Sequence, residues 1–232
     1  MIKLEQLKKV FGEKTAVDID NFTVNEGEIL GLVGNNGAGK TTLFRLILDL
    51  LKAEEGQVLI DGFNPTESEE WKQWTGAYID DSFLIDFLTP EEYFDFIGKV
   101  NNMTKEKVNE RLETFHQFMA GEILGQKKLI RDYSAGNKQK VGIVAALLHE
   151  PKLIILDEPF NFLDPSSQII LKRLLQNYNR EHQATILISS HNLQHTVDIS
   201  TRITLLEHGH ILKDLTNSEG SAEKELEDYF NV

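Results

Sequence analysis

Gly34-Asn35-Asn36-Gly37-Ala38-Gly39-Lys40-Thr41-Thr42 follows the apolar run Ile29-Leu30-Gly31-Leu32-Val33 and precedes Leu43-Phe44-Arg45-Leu46-Ile47-Leu48. A buried strand, a glycine turn and an amphipathic helix form the setting of a phosphate-binding P-loop. The glycines let the backbone curl until consecutive N–H groups point inward at an anion. The helix starting near Gly39 adds its unpaired N-terminal N–H groups and the positive end of its dipole. Lys40 is expected to reach the β- and γ-phosphates, and the Thr41 hydroxyl to ligate Mg²⁺. The full G-x-x-x-x-G-K-T spacing, in this context, identifies a nucleoside triphosphate site.

The surrounding 232 residues have an ordinary globular composition, 41% hydrophobic and 26% charged, which predicts one large domain or one domain with an insertion. With no cysteine, disulfides, thiolate metal sites and cysteine nucleophiles are excluded, and a reducing compartment is suited. A net charge of −13 argues against a nucleic-acid partner, which needs basic density to displace counterions. Residues 1–5 lead straight into alternating residues without a signal-peptide core. The apolar run 143–148 is far short of the ~20 residues a membrane span requires, so any membrane role is expected through a partner.

Outward from the P-loop, residues 2–10 and 16–24 alternate apolar and polar, as antiparallel strands with one covered face do. Short strands are expected at 57–60 and 77–79. Residues 80–131 then read as helices: Thr89-Pro90-Glu91-Glu92 is a capped start, and 104–118 carries helical spacing. The predicted fold is α/β, with a mostly parallel core sheet, an antiparallel β-subdomain and an inserted helical subdomain. The division is 1–79 and 132–232 for the core with its β-subdomain, and 80–131 for the insertion. Residues 152–156 and 184–188 read as strands buried on both faces. Helices are expected from Asp164-Pro165 to about Asn179 and from Asn192 to Ile199. A hairpin around Gly209 and a short surface helix in the acidic tail, 218–232, complete the prediction.

Ile154-Ile155-Leu156-Asp157-Glu158 places two carboxylates at the C-terminal end of a buried strand, where open α/β sheets bind ligands. Asp157 can hold the Mg²⁺ shell, and Glu158 can polarise a water for attack on the γ-phosphate. His191 ends another strand at the same edge and can bond the γ-phosphate or hold Glu158. His195 lies one helical turn further, but the zinc-protease pattern is absent and a metal pair is discounted. His208-Gly209-His210 reads as a solvated turn. Ser134-Ala135-Gly136-Asn137-Lys138-Gln139 joins a serine cap to a glycine at a helix start. It reads either as an ordinary capped helix or as a second anion site.

Taken together, these stretches resemble the ATP-binding subunit of ABC transporters over nearly the whole chain, in particular antibiotic- and bacteriocin-type exporter ATPases. The resemblance makes 34–42 Walker A, 153–157 Walker B, Glu158 the general base, Asn161-Phe162-Leu163-Asp164 the D-loop and His191 the switch histidine. It makes 134–139 the signature, with Ala135 where glycine is commonest and Asn137 where glutamine is. Phe11 stands where an aromatic stacks on adenine. The implied catalytic residues are Glu158, His191 and Lys40. The implied ATP-binding set is Phe11, Val17, Asn35, Asn36, Gly37, Ala38, Gly39, Lys40, Thr41, Thr42, Ser134, Gly136 and Asn137, with Thr41, Asp80 and Asp157 toward Mg²⁺. The Q-loop departs from the pattern, since Asp80 or Asp81 replaces its glutamine. Exporter-like members often carry Glu there, and a carboxylate can still touch the metal or its waters.

The same resemblance implies partners. Two chains, identical or paralogous, would sandwich ATP head to tail between Walker A of one and the signature of the other. An integral membrane permease would dock beside the Q-loop, near Phe83, Phe87, Tyr93, Phe94 and Phe96. The subunit would then be cytoplasmic, held at the inner face of the cell membrane. Two other functions are distinguishable: a soluble ABC ATPase in assembly or repair, and a poorly hydrolysing regulatory subunit. The latter is suggested by Asp80 and the altered signature, and opposed by Lys40, Asp157, Glu158 and His191.

Overall fold

A computed structural model of the protein describes residues 1–218 and 220–230. Its strands are β1 (Ile2–Phe11), β2 (Lys14–Val24), β3 (Ile29–Val33), β4 (Glu55–Ile60), β5 (Thr75–Tyr78), β6 (Leu153–Leu156), β7 (Thr185–Ser190), β8 (Arg202–Glu207) and β9 (His210–Thr216). Its helices are α1 (Lys40–Ile47), α2 (Pro90–Val100), α3 (Lys105–Thr114), α4 (His116–Met119), α5 (Ala135–Leu147), α6 (Pro165–His182), α7 (Leu193–Val197) and α8 (Glu223–Phe230).

The alternating stretches near the N-terminus form an antiparallel sheet ordered β2-β1-β4. The apolar runs of β3, β6 and β7 form the centre of a six-stranded sheet ordered β5-β6-β7-β3-β8-β9, parallel throughout except for β9 against β8. All four residues of β6 are buried because each face of this sheet is covered. Leu153 and Ile155 face the antiparallel sheet and the apolar side of α1; Ile154 and Leu156 face α5 and α6. Each such side chain contributes about 1.5–3 kcal/mol of burial.

Local chemistry sets the helix starts. Thr89 and Glu92 form a reciprocal capping box with Pro90 in the first turn of α2. Asp164 caps α6 by accepting from the backbone N–H groups of Ser166 and Ser167, again with Pro165 at the first position. Ser134 caps α5 by accepting from Asn137 N–H at 3.3 Å.

Several elements differ from the sequence reading. The helix expected over 104–118 breaks at Phe115, whose buried ring joins Leu112 and Phe118 in the core. Helix α6 runs on to His182, beyond Asn179, whose amide is held by the carbonyls of Gly27 and Ala184 at 2.8 and 2.7 Å. Helix α7 stops at Val197, two residues short of Ile199. The tail helix is no mere surface helix, because Ala222 and Leu226 are buried against Val33, Val197, Ile203 and Leu205. The tail reading at Glu219, Asn231 and Val232 lies outside the described residues. Of the five aromatics, Tyr93 and Phe94 enter the core, whereas Phe83, Phe87 and Phe96 are exposed.

Candidate active site

The order β6-β7-β3 sets three C-terminal strand ends side by side, with Leu156 level with Ile188 and Ser190 level with Val33. The loops leaving these ends carry Asp157 and Glu158, His191, and residues 34–39. The P-loop is braced from below by the β8–β9 turn. Gly209 N–H donates to the Ala38 carbonyl, and the Gly209 carbonyl accepts from Asp18 N–H, both at 2.9 Å. The turn around His208 and His210 is therefore a support for the loop as well as a solvated surface. Gly39 begins α1 at φ +113°, and a Cβ there would lie 2.3 Å from the Ala16 carbonyl oxygen, so no other residue fits.

Lys40 is 6% exposed; its ammonium donates to the Gly34 carbonyl at 2.6 Å and lies 3.4 Å from Glu158 Oε1. The Thr41 hydroxyl donates to Asp157 Oδ2 at 2.5 Å. Ser189 binds the other side: its hydroxyl donates to Asp157 Oδ1 and accepts from Glu158 N–H, the latter at 2.8 Å. Glu158 stands in the left-handed region at φ +47°, an uncommon conformation for a non-glycine residue that turns the chain sharply at the strand end. Its carbonyl accepts from Gln139 Nε2 at 3.0 Å, so both of its backbone polar groups are held. On Glu158 Oε2 converge His191 Nδ1 at 2.8 Å and His191 N–H at 3.3 Å. With a carboxylate as acceptor, the ring proton sits on Nδ1 and Nε2 is left to face outward.

Two cavities share Glu158 as a wall. One, of about 280 Å³, is lined by Phe11, Lys14, Ala16, residues 36–42 and Glu158. Phe11 is 51% exposed, with Lys9 Nζ 5.2 Å from its ring centroid. The other, of about 290 Å³, is lined by residues 78–81, Ala135, Gln139, Asp157, Glu158, Asn161 and Phe162. The structure thus gathers Phe11, Asn36, Gly37, Ala38, Gly39, Lys40, Thr41, Thr42, Asp157, Glu158 and His191. Asn35 enters through its backbone, accepting from Ala38 N–H at 3.0 Å.

Two expectations are not met by this geometry. Val17 is 0% exposed in the core beneath the sheet and has no surface to offer a nucleotide; its neighbour Ala16 lines the cavity instead. Asp80 was expected to reach the metal, but both its oxygens are engaged elsewhere. Oδ2 accepts from Arg45 at 3.0 Å, and Oδ1 takes the backbone N–H and hydroxyl of Ser82. Burial works against the Asp80 carboxylate, yet the Ser82 and Arg45 bonds hold its pKa below the usual carboxylate value. Ser134, Gly136 and Asn137, which the resemblance assigns to the nucleotide of a second chain, lie apart from this chain's own P-loop: among the described residues no hydrogen bond joins them to residues 34–42. Gly136 instead packs so closely on the D-loop that a Cβ would lie 2.5 Å from the Phe162 carbonyl oxygen. Gly136→Ala is expected to cost about 1–3 kcal/mol by overpacking against backbone, or about 2–12 °C in Tm for a chain of this size. An unchanged thermal unfolding curve would contradict it.

Thr41 and Asp157 offer hard oxygens, the donor chemistry Mg²⁺ takes when phosphate and water fill its remaining positions. Burial pushes the Asp157 carboxyl above its ordinary value despite the Ser189 and Thr41 hydroxyls, and a cation beside it would offset that cost. The residues present therefore fit the ion. Among the described residues there is no group of three or more His, Cys, Asp and Glu side chains that could hold a metal by itself. His195 makes no pair with His191; it lies against the Phe160 ring at 4.9 Å. The residues that sequence reasoning missed are Ser189, Gln139, Lys14, Ala16 and Arg45. Only Ser189 left a signal, as a hydroxyl ending an otherwise apolar buried strand beside a strand that ends in acids.

A model of the ABC transporter family matches residues 17–161. The chain is 36% identical over 221 residues to the bacitracin transport ATP-binding protein BcrA of Enterococcus faecalis, covering 94% of this chain and 70% of that protein. It is 32% identical over 223 residues to the methionine import ATP-binding protein MetN of Rhizobium johnstonii, covering 92% and 60%. A solved structure of the ATP-binding subunit of an ABC transporter superposes with a TM-score of 0.87 at 26% identity, covering 100% of both chains.

Proposed function

The chain belongs to the ABC transporter family of ATP-binding subunits, and on that premise we propose that it is the ATPase that drives a membrane permease, working in the export direction. The observation that carries the ATPase reading is the convergence at one sheet edge of the P-loop, Asp157, Glu158 and His191. Lys40 offsets charge on the γ-phosphoryl group, and Glu158 orients and deprotonates the attacking water. His191 acts through Glu158, fixing Oε2 so that Oε1 points toward Lys40. Mg²⁺ bound at Thr41 and Asp157 would supply further neutralisation of the triphosphate. Phe11 offers the ring on which adenine stacks.

Ser134, Gly136 and Asn137 serve the site of a second chain, identical or paralogous. The support is their place at the part-exposed start of the 13-residue helix α5, which among the described residues makes no hydrogen bond to its own P-loop. Phe162, 73% exposed on the adjoining D-loop, extends the same face. Residues 1–79 and 132–232 form the ATP-binding core with its antiparallel sheet, and 80–131 the helical subdomain that carries the permease-facing surface.

That surface is a groove of about 230 Å³ between β5, α2 and α5, lined among others by Phe83, Tyr93, Ile97, Val100 and His149. Phe83, at 49% exposure, and Val100 give its rim exposed apolar surface suited to a partner. No helix among the described residues is long and apolar enough to cross a membrane; the subunit lies on the cytoplasmic face and takes its place there from the permease. Support for the export direction is the 36% identity to the bacitracin transport subunit, against 32% to the methionine importer. Purification of the tagged chain from membranes is expected to bring down an integral membrane protein, and Phe83→Asp to release it while ATP binding is unchanged. Recovery of the chain with no membrane protein under any mild detergent would turn the reading toward a soluble ATPase.

A further inference from the structure

Four carboxylates, Asp80, Asp81, Asp157 and Glu158, line the cavity next to the P-loop. A triphosphate adds several more negative charges to the same neighbourhood, and like charges a few ångströms apart cost free energy at partly buried sites. Each acid is met by a specific partner. Glu158 faces Lys40 at 3.4 Å, Asp81 faces Lys138 at 3.8 Å, and Asp157 is bonded by the Thr41 and Ser189 hydroxyls. Asp80 is the acid that stands where family members place an uncharged glutamine, and it is met by Arg45.

Arg45 sits four residues after Thr41 on α1, one helical turn from it and on the same flank of the helix. Its Nη2 bond to Asp80 is the hydrogen bond its guanidinium makes among the described residues, and its Nε is buried without a partner. Ser82 fixes Asp80 from the other side, so the carboxylate is held at two points between α1 and the turn at 81–83. We propose that Arg45 is a positioning residue for nucleotide binding: it neutralises Asp80 and draws its carboxylate to the outer flank of α1, away from the line between Thr41, Asp157 and the γ-phosphate. The inference rests on the reading of the P-loop cavity as the ATP site.

The pair is part-exposed on both sides, so its effect on stability is small. Its effect on an incoming polyanion is larger, because an unpaired carboxylate acts on the ligand's full charge. Arg45→Ala is expected to raise the Kd for MgATP about 5–30-fold. Arg45→Lys, which keeps the charge, is expected to stay within about threefold of wild type. Asp80→Asn keeps the Ser82 contacts, removes the charge and is expected to bind at least as tightly as wild type. The deciding variant is the double one: with no carboxylate to hold, Arg45→Ala/Asp80→Asn is expected to return to within about twofold of Asp80→Asn alone.

A merely structural pair gives a different pattern, in which Asp80→Asn weakens binding as much as Arg45→Ala and the double variant binds no better than either. That result, or an Arg45→Ala protein binding MgATP like wild type, overturns the proposal. Should Arg45→Ala fail to fold, Arg45→Gln is read against Asp80→Asn in the same way. If the wild-type chain binds no MgATP, the active-site reading itself falls and this inference with it; wild-type binding with no coupling between Arg45 and Asp80 removes the inference alone.

Discussion

Glu158→Gln is expected to lower ATP turnover by about 10²–10⁴-fold, the contribution of a positioned general base, while leaving the Kd for ATP within about threefold of wild type. The amide is nearly isosteric and can still accept from His191 through its oxygen, so the 2.8 Å contact to Nδ1 is retained in form. What it loses is the capacity to take a proton from water and the negative charge beside Lys40. Steady-state phosphate release separates this from a folding defect, because the bond from Glu158 N–H to Ser189 is a backbone contact that the substitution does not touch. In a head-to-tail dimer closed by ATP, the variant also accumulates the closed form, visible as a long-lived dimer by size-exclusion chromatography with ATP. Turnover within tenfold of wild type would assign the base to another group.

Lys40→Ala is expected to have the second large effect, of a different kind. Removing a buried ammonium that serves the phosphates takes away a charge-assisted hydrogen bond of about 1.5–3 kcal/mol, or about 10–150-fold in ATP affinity. Further loss falls on the transition state, where charge on the γ-phosphoryl group is greatest. If the ATP site is completed by residues 134–137 of a second chain, the same substitution abolishes ATP-driven dimerisation together with turnover. Lys40→Ala chains that still dimerise tightly on ATP and not on ADP would show that the two halves are not joined through this nucleotide. The two variants are thus opposite in their dimer signatures, one locked and one never closed.

The fold was legible because its decisive signals are local. A buried strand, three glycines and Gly-Lys-Thr in one stretch name the P-loop, and the uninterrupted apolar runs 153–156 and 186–188 name strands covered on both faces. For the active site, the side-by-side placing of Lys40, Thr41, Asp157, Glu158 and His191 was legible from one rule, that the C-terminal ends of parallel strands share an edge. What escaped is carried by pairs far apart in the chain. Ser189 reaches Asp157 across 32 positions and Arg45 reaches Asp80 across 35, and nothing in either neighbourhood announces the other. Val17 and Ala16 show a subtler limit. Strand alternation says that one of two neighbours faces inward, but a residue at the rim of a sheet can be buried on either side, and here both are. Among the aromatics, Tyr93 and Phe94 differ from Phe96 only by rotation around α2, so composition alone could not sort the core from the surface.

The order in which the ribosome delivers this chain has a consequence set by β3. The strand that leads into the P-loop emerges early, at 29–33, yet its two neighbours in the sheet are β7 and β8, made only after more than 150 further residues. Until then both edges of an apolar strand lack partners, and the Gly209 brace under the loop does not exist. The N-terminal hairpin of β1 and β2 has no such delay, since its register is local. Contacts of this separation are slow to close and leave aggregation-prone edges open meanwhile. The edges of β3 and the Gly209 brace under the P-loop are thus completed only once residues up to about 210 are available, well after the β1–β2 hairpin can close.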